Sequence, residues 1–586
     1  MTSRLTYNNT RNRFMRLPFW ISLLSILAII FDFGFDQSDE LGNALVYLYY
    51  LCLLMGSLSV VGRYLFSALR PRSKVILFDA ILYLFLNGLI LHFLGWVNLQ
   101  LFNHKVLIYM AVVVVFLREL SALRLDFNKQ SLNPAQLFIV SFLVLIIAGA
   151  FLLLLPNASY YRIGLLDAIF TSTSAVCVTG LVVVDTGSFF TPFGQSIILV
   201  LIQVGGIGIM TFTSYFSYFF RGESSYENNL ILRDLTNTKM MSDVFATLRK
   251  ILLVTFIVEA VGAMIIYSTL DPTLLSSLRN RIFFSVFHSV SGFCNAGFST
   301  LSNSLYDEGF RFNYPLQMSI ASLFILGGLG FPIVFNFVKY IKHLIANRLH
   351  LFQRRKRAVY NAWVINMNTR IVLVTTLILL LCGTFLFFVL EYNNTLAEHH
   401  GIGKIITAFF GAATPRTAGF NSVDTTALNF STVLIILFLM WVGASPGSTG
   451  GGVKTSTLAI SILNIFSLAR GKDRIEVFRR EISVISIRRA SALVLLSALV
   501  VGLSVFLVNV FDPDNKLTDT LFECLSAFST VGLSQGITAG LTDGSKSVLI
   551  LTMFIGRVGT LTLLTAFLHK IKHLNYRYPG EEILIN

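Results

Sequence analysis

The sequence predicts an all-α integral membrane protein. Three observations carry that prediction: apolar runs long enough to cross a bilayer recur along the chain, charge is scarce, and the charge present is mostly basic and lies between the runs. Of 586 residues, 55% are hydrophobic and 13% are Asp, Glu, Lys or Arg, and the mean hydropathy is +0.73. A soluble domain carries about 25% charged residues, so this chain cannot build a water-facing surface. The 45 Lys and Arg against 30 Asp and Glu give a net charge of +15. A nucleic-acid binder would gather that excess on one face; here it falls between apolar runs, so lipid rather than nucleic acid is the expected partner. Five cysteines (Cys52, Cys177, Cys294, Cys382, Cys524) lie in or beside apolar runs without CxxC spacing, which gives neither a disulfide framework nor a zinc site.

A helix needs about 20 apolar residues to cross the hydrocarbon core. Twelve spans are expected, near 17–34, 42–62, 75–97, 105–118, 135–155, 193–220, 247–269, 315–340, 369–391, 431–469, 488–511 and 546–569. The first run, Trp20 to Phe31, has no small-residue cleavage site before Asp32 and reads as a retained span, not a signal peptide. An even number of crossings puts both termini on one side. Of the 45 Lys and Arg, 34 fall in 1–17, 63–74, 118–129, 221–250, 339–370, 470–489 and 570–586. Short cytoplasmic loops carry such an excess, so both termini are expected in the cytoplasm, with the chain in the inner (plasma) membrane.

Residues 135–570 contain a repeat. Each long helix pair is separated by an outer segment too long for a turn and too apolar for water. Each such segment holds one short string: Val178-Thr179-Gly180-Leu181, Asn295-Ala296-Gly297-Phe298, Thr417-Ala418-Gly419-Phe420 and Thr530-Val531-Gly532-Leu533. The glycines are 117, 122 and 113 residues apart, and fixed-period self-similarity announces a repeat architecture. The stretches before the strings, Gly164 to Ala175, Arg281 to Ser291, Gly403 to Ala413 and Leu517 to Ser526, read as short re-entrant helices.

Non-helical backbone at membrane depth survives only when buried in protein or lining a water-filled cavity. Four extended strings meeting on a pseudo-fourfold axis would line such a cavity, and their carbonyls would form rings that replace the water shell of a cation. Glycine suits the task because it adopts backbone angles that aim a carbonyl inward. The negative C-terminal ends of the short helices, aimed at the axis, favour a cation. Close helix packing, the default for glycine in a span, is the expectation for Gly205, Gly206, Gly208, Gly327, Gly328 and Gly330.

The run Gly443-Ala444-Ser445-Pro446-Gly447-Ser448-Thr449-Gly450-Gly451-Gly452-Val453-Lys454-Thr455 cannot be continuous helix. It is not a phosphate-binding loop, because Val453 stands where that motif needs Lys. It reads as a mobile barrier below the strings. Arg557, deep in the last span, would hydrogen-bond loop carbonyls near Ser448–Gly451 and add positive charge there, since an intramembrane charge marks function by default. Lys454 is expected to snorkel to the inner surface. Glu259 is expected either to pair with a neighbouring helix or to serve conduction. Asp185 and Asp424, five residues past their glycines, are weaker candidates for concentrating cations at the mouth.

These strings, with Gly194-Gln195 and Leu201-Ile202-Gln203-Val204-Gly205-Gly206-Ile207-Gly208, resemble the Trk/Ktr/HKT superfamily of potassium transporters (KtrB/TrkH-like pore subunits) over about residues 130–586. The resemblance implies four M1–P–M2 repeats in one chain, usually in a homodimer, with a separately encoded cytoplasmic nucleotide-binding ring (TrkA/KtrA-like). It implies a filter at Val178, Thr179, Gly180, Asn295, Ala296, Gly297, Thr417, Ala418, Gly419, Thr530, Val531 and Gly532. It also implies an intramembrane gating loop at Gly443, Pro446, Gly447, Ser448, Thr449, Gly450, Gly451 and Gly452, to which the reading of intramembrane charge above adds Lys454 and Arg557. Glycine in all four strings goes with potassium in that family. It places Arg416 as a brace for the third short helix.

The expected division is an N-terminal bundle of about four extra helices (1–130) and pore repeats at 131–235, 236–350, 351–475 and 476–586. A voltage-sensor role for the bundle is disfavoured: Asp79, Arg118 and Arg124 faintly suggest one, but Val106 to Phe116 carries no Arg. The expected function is potassium uptake, channel-like and driven by the membrane potential, with no covalent cofactor, no catalytic residue, and nucleotide only on the separate subunit. The alternative is a sodium-coupled potassium symporter. Transporters usually break helices in paired halves, whereas the glycine-rich break is read here once. No HExxH motif and no clustered His/Asp constellation is present, and His288 stands alone in its short helix.

Overall fold

The computed structural model describes residues 17–66, 73–96, 105–122, 134–221, 243–275, 277–352 and 365–567. The first four helices are α1 (Leu17–Gly34), α2 (Asp39–Phe66), α3 (Ser73–Phe93) and α4 (Lys105–Ala122). They bundle around Tyr49, Leu53, Leu86, Leu89, Ala111 and Val112, while Leu, Phe and Val on their outer faces stay exposed, as lipid-facing positions require. At one end Asp32 accepts hydrogen bonds from Tyr109 (2.6 Å) and Tyr49 (3.4 Å). At the other, Arg118 grips Asp79 with two bonds of 2.6 and 2.7 Å, Tyr64 donates to Asp79, and Arg63 pairs with Glu119. Arg118 thus serves as a structural partner; Arg124 lies outside the described residues.

The rest is one unit used four times. Repeat 1 comprises α5 (Pro134–Leu153), α6 (Leu165–Val176) and α7 (Pro192–Arg221). Repeat 2 has α8 (Asp243–Thr269), α9 (Leu278–Phe293), α10 (Tyr314–Leu329) and α11 (Phe331–Phe352). Repeat 3 has α12 (Met367–Glu391), α13 (Ile402–Ala413), α14 (Phe430–Trp441) and α15 (Thr455–Ala469). Repeat 4 has α16 (Val484–Phe511), α17 (Leu517–Ser529), α18 (Asp543–Val558) and α19 (Thr560–Phe567). Each unit is an entering helix, a short helix that stops inside the protein, an extended string, and a broken exiting helix.

Small residues let the short helices dock. Gly149 sits against Ser172, Gly262 against Ser289 and Gly383 against Ala412. Ser172 and Ser289, each eight residues before its string glycine, donate to Ile146 O (2.7 Å) and Glu259 O (2.6 Å) on their entering helices. Small side chains allow close approach, and hydroxyls bond across helices where no water competes. Each exiting helix then packs on the next short helix: α7 on α9, α10 on α13, α14 on α17, and α18 back on α6. Lys546 of α18 closes the circle with a 2.8 Å ion pair to Asp167 of α6.

Two expectations need correction. The span expected at 315–340 is two helices bent by 102° at Gly330, and the span at 193–220 is kinked at Gly208. Gly208 (φ +75°) and Gly330 (φ +82°) are therefore break points, Gly330 packing closely on Pro446 and Gly447 as well, and Gly559 (φ +87°) breaks the fourth exiting helix alike. Such angles cost other residues steric strain. The break is thus fourfold rather than single. Six described helices are long and apolar enough to cross a membrane, seven counting the bent pair, and the breaks leave α7, α14, α15 and α18 as shorter pieces. Between α15 and α16, β1 (Glu476–Val477) and β2 (Arg480–Glu481) form a hairpin whose turn residues Phe478 and Arg479 both have positive φ, as a type I′ turn demands. The expected boundary at 350 falls within α11, and those at 130 and 235 fall outside the described residues.

Candidate functional site

The four strings meet. A Cβ added to Gly180 would strike Ala296 O of the second string, and one on Gly297 would lie 3.0 Å from Ala418 O of the third. Likewise Gly419 faces Val531 O of the fourth, and Gly532 faces Thr179 O of the first. The glycines thus form a closed ring in chain order, each beside the carbonyl that precedes the next glycine. No side chain fits at any of the four positions.

The backbone within each string alternates in hand. Val178, Asn295, Thr417 and Thr530 have φ of +55°, +61°, +69° and +50°, and Gly180, Gly297, Gly419 and Gly532 have +92°, +70°, +77° and +93°. A left-handed conformation at a non-glycine residue is costly and persists only where the surroundings impose it. Alternating hands turn successive carbonyls to the same side of a chain, the arrangement a carbonyl-lined cation path needs. The short helices end immediately before the strings, so the negative ends of their dipoles lie beside the ring.

Glycines of the exiting helices bring the helices against the short-helix ends. A Cβ on Gly205, Gly327 or Gly556 would strike Val176 O, Phe293 O or Phe528 O, each four residues before its string glycine. Gly206 packs on Cys294. For Gly205, Gly206 and Gly327 the expected packing role holds.

The loop between α14 and α15 lies against the first residues of the second, third and fourth strings. Thr449 Oγ1 donates to Asn295 Oδ1 (3.0 Å), Gly451 N donates to Thr530 Oγ1 (2.9 Å), and a Cβ on Gly450 would strike the Thr417 hydroxyl. The loop is held on its flank by Ser445 N donating to Gly328 O (3.0 Å) and by Phe331 N donating to Gly447 O (3.3 Å). Gly330, Pro332 and Gly447 pack together there, so the second break seats the third.

Arg557 reaches this loop: its guanidinium donates to Thr449 O and, at 2.6 Å, to Gly205 O. Lys454 departs from expectation. Its ammonium folds back onto Gly450 O (2.5 Å) and Gly451 O (3.1 Å) rather than extending to the inner surface. The carbonyls of a helix-free loop need donors in a dry interior, and Lys454 supplies them from four residues away.

Of the alternatives left open for Glu259, the structure shows a partner on the neighbouring helix: Gln203 donates to both carboxylate oxygens at 3.0 Å, with Cys294 Sγ 3.7 Å away. Arg416 occupies the place that Cys177, Cys294 and Ser529 hold in the other repeats. It is buried, and its nearest side-chain acceptor is Thr376 Oγ1 at 3.5 Å. Asp185 and Asp424 cap their own turns, accepting from Ser188 N (2.7 Å) and Thr426 N (2.9 Å).

Sequence reasoning missed two fixing residues. His288 joins Phe284 O to Ser299 Oγ at 2.9 Å each, and buried Glu523 accepts from Ser534 Oγ (2.5 Å), Gln535 N (3.0 Å) and Thr538 Oγ1 (2.8 Å). Both pin the chain just past a string. A polar residue nine positions before a string glycine, inside an otherwise apolar short helix, was the available signal. Among the described residues no group of three or more His, Cys, Asp or Glu could hold a metal ion.

Comparison with known proteins gives a consistent answer. Residues 103–575 match the family model TrkH, described as a cation transport protein. The chain is 34% identical over 453 residues to Ktr system potassium uptake protein B of Bacillus subtilis, covering 77% of this chain and 96% of that one. It is 35% identical over 465 residues to the potassium/sodium uptake protein NtpJ of Enterococcus hirae, covering 78% and 98%. The fold matches the crystal structure of the potassium transporter TrkH from Vibrio parahaemolyticus with a TM-score of 0.58 at 16% identity, covering 89% of this chain and 97% of that one. The family match begins at residue 103, so helices α1 to α3 lie outside it.

Proposed function

The chain belongs to the TrkH family of cation transport proteins, a family of transporters and not enzymes, and we propose that it carries potassium ions inward through the ring of four strings. The observation that carries this reading is the closed cycle of glycines, each against the next string's carbonyl. Potassium is the cargo. The carbonyls of Val178, Thr179, Gly180 and their counterparts Asn295, Ala296, Gly297, Thr417, Ala418, Gly419, Thr530, Val531 and Gly532 stand in for its hydration shell. The membrane potential supplies the drive, about 2.3 kcal/mol per elementary charge for each 100 mV.

The loop Gly443–Gly452, with Lys454 and Arg557, is the gate in this reading. Its contacts with Asn295 and Thr530 support a barrier directly below the filter, and two cationic side chains add an electrostatic obstacle to a cation there. Control by a separate cytoplasmic nucleotide-binding ring, assembly as a homodimer, and a plasma-membrane location with cytoplasmic termini complete the proposal.

A second reading, sodium-coupled transport, is favoured by one observation: a relative at 35% identity is named for both potassium and sodium uptake. The fourfold rather than paired helix breaks favour the pore. Expression in a bacterium deprived of its own potassium uptake separates transport from its absence. Growth at low potassium, lost on Gly297→Ser, supports the proposal; no rescue by well-expressed protein contradicts it.

A further inference from the structure

We infer that the four strings are of two kinds, and that the outermost cation site presents two free carbonyls rather than four, with Ser291 and Thr414 acting as the positioning residues that make the difference. The inference rests on the filter reading above and concerns its outer end.

In repeats 1 and 4 the short-helix serine accepts a hydrogen bond from the string glycine: Gly180 N to Ser174 Oγ and Gly532 N to Ser526 Oγ, both 3.0 Å. In a trans peptide the C=O and the following N–H point in opposite directions, and the structure has no cis peptide. The glycine N–H therefore points back at the short helix, and the carbonyls of Thr179 and Val531 point away from it, toward the ring. In repeats 2 and 3 the hydroxyl does something else. Ser291 Oγ donates to Phe298 O (2.7 Å) and Thr414 Oγ1 donates to Phe420 O (2.6 Å). Those carbonyls are one residue further out and are turned back toward the short helices. The same trans geometry then directs the N–H of Ser299 and of Asn421 the opposite way.

Two of the carbonyl rings are thereby distinguished. The inner one comprises the carbonyls of Thr179, Ala296, Ala418 and Val531, the four oxygens that neighbour the string glycines around the cycle. Beyond the carbonyls of the four glycines, the outermost ring would comprise those of Leu181, Phe298, Phe420 and Leu533, and in two of its four members the oxygen is withdrawn. The sequence marks the division, since the residue after glycine is Leu in repeats 1 and 4 and Phe in repeats 2 and 3. Phe298 and Phe420 are fully buried side chains, so burial of the ring and the hydroxyl bond hold the same peptide. Repeat 3 reaches this state by a different route: Ala413 stands where the other repeats have serine, and Thr414, the next residue, takes the role. Because the cycle runs in chain order, the two free carbonyls are neighbours, and the outer site is lopsided. A monovalent cation there keeps water on the side of repeats 2 and 3 and loses its shell fully only at the inner ring.

Crystals of the full-length protein grown with thallium, a potassium mimic with strong anomalous scattering, test this. The expected map has density at the inner ring and at least severalfold less at the outer one. Equal density at both rings overturns the inference and leaves the filter reading standing; density at neither overturns the filter reading itself. In the doubly substituted Ser291→Ala/Thr414→Val protein the two carbonyls lose their donors, and a buried acceptor left unpaired seeks another partner. The outer ring should then fill, and the half-saturating rubidium concentration for uptake should fall about fivefold, each 1.4 kcal/mol being tenfold. Thr414→Ser, which keeps the donor, should match the parent. An unchanged outer ring and unchanged half-saturation in the double variant would overturn the role given to the two hydroxyls.

Discussion

Arg557 in the last repeat donates a hydrogen bond to the carbonyl of Thr449, 108 residues earlier in the loop of the third, while its other terminal nitrogen bonds Gly205 in the first. One side chain thereby ties three repeats together directly beneath the ring of strings. A hydrogen bond from a charged donor is worth about 1.5–3 kcal/mol, which sets the scale for what its loss should do.

Arg557→Ala should release the loop and raise basal rubidium flux in reconstituted vesicles by about tenfold, because 1.4 kcal/mol is a factor of ten. A barrier of undiminished height, in protein that elutes as a single species, would remove Arg557 from the gate.

Shortening the barrier should act in the same direction. Deletion of Gly447–Gly451 removes the Gly451 bond to Thr530, the Thr449 bond to Asn295 and the seat on Phe331. Flux in the absence of any cytoplasmic partner should become high and insensitive to adding one. Retained dependence on the partner would place the gate elsewhere.

At the ring, Gly180→Ser introduces a side chain where φ is +92° and the Ala296 carbonyl stands in the way. The carbonyl must move, so the preference for potassium over sodium, measured by isotope competition, should fall several-fold. An unchanged preference would argue that Gly180 does not shape the selective site.

In the N-terminal bundle, Asp79→Asn strands the Arg118 guanidinium beside a buried neutral residue. Removing one member of a buried ion pair costs about 3 kcal/mol, so thermal unfolding in detergent should begin several degrees lower. Asp79→Asn/Arg118→Met should recover most of the loss. Because the bundle meets repeat 1 at its far end, where Phe33 stacks on Phe193 at 5.7 Å and Asn157 donates to Phe33 O, rubidium uptake should be preserved. Loss of uptake without loss of fold would show that the bundle acts on the pore.

The architecture was legible because two signals in the chain are local. Apolar length marks helices, and the string Gly180, Gly297, Gly419, Gly532 repeats at nearly even spacing. The position of the 443–455 loop and the reach of Arg557 followed from glycine, proline and charge in places where a membrane forbids them unless partnered. The breaks at Gly208, Gly330 and Gly559 were not legible in the same way: a glycine in an apolar run is compatible with both close packing and positive φ, and only the neighbours decide. Lys454 was misplaced for a related reason. Its stem is long enough either to reach the surface or to fold onto Gly450, and the need of the loop carbonyls for donors, visible only once the loop is closed, selects the second. Glu523 and His288 look like isolated polar residues in the sequence; their role becomes visible when the chain past each string folds back over them.

The central claim is that the four strings conduct a dehydrated monovalent cation down its electrical gradient. Isotopic rubidium flux into vesicles, with the potential set by valinomycin and external sodium varied independently, tests it most directly. Uptake that follows an inside-negative potential, proceeds without sodium, and is competed by potassium more strongly than by sodium is the predicted result. Uptake that ignores the potential or requires sodium would contradict it.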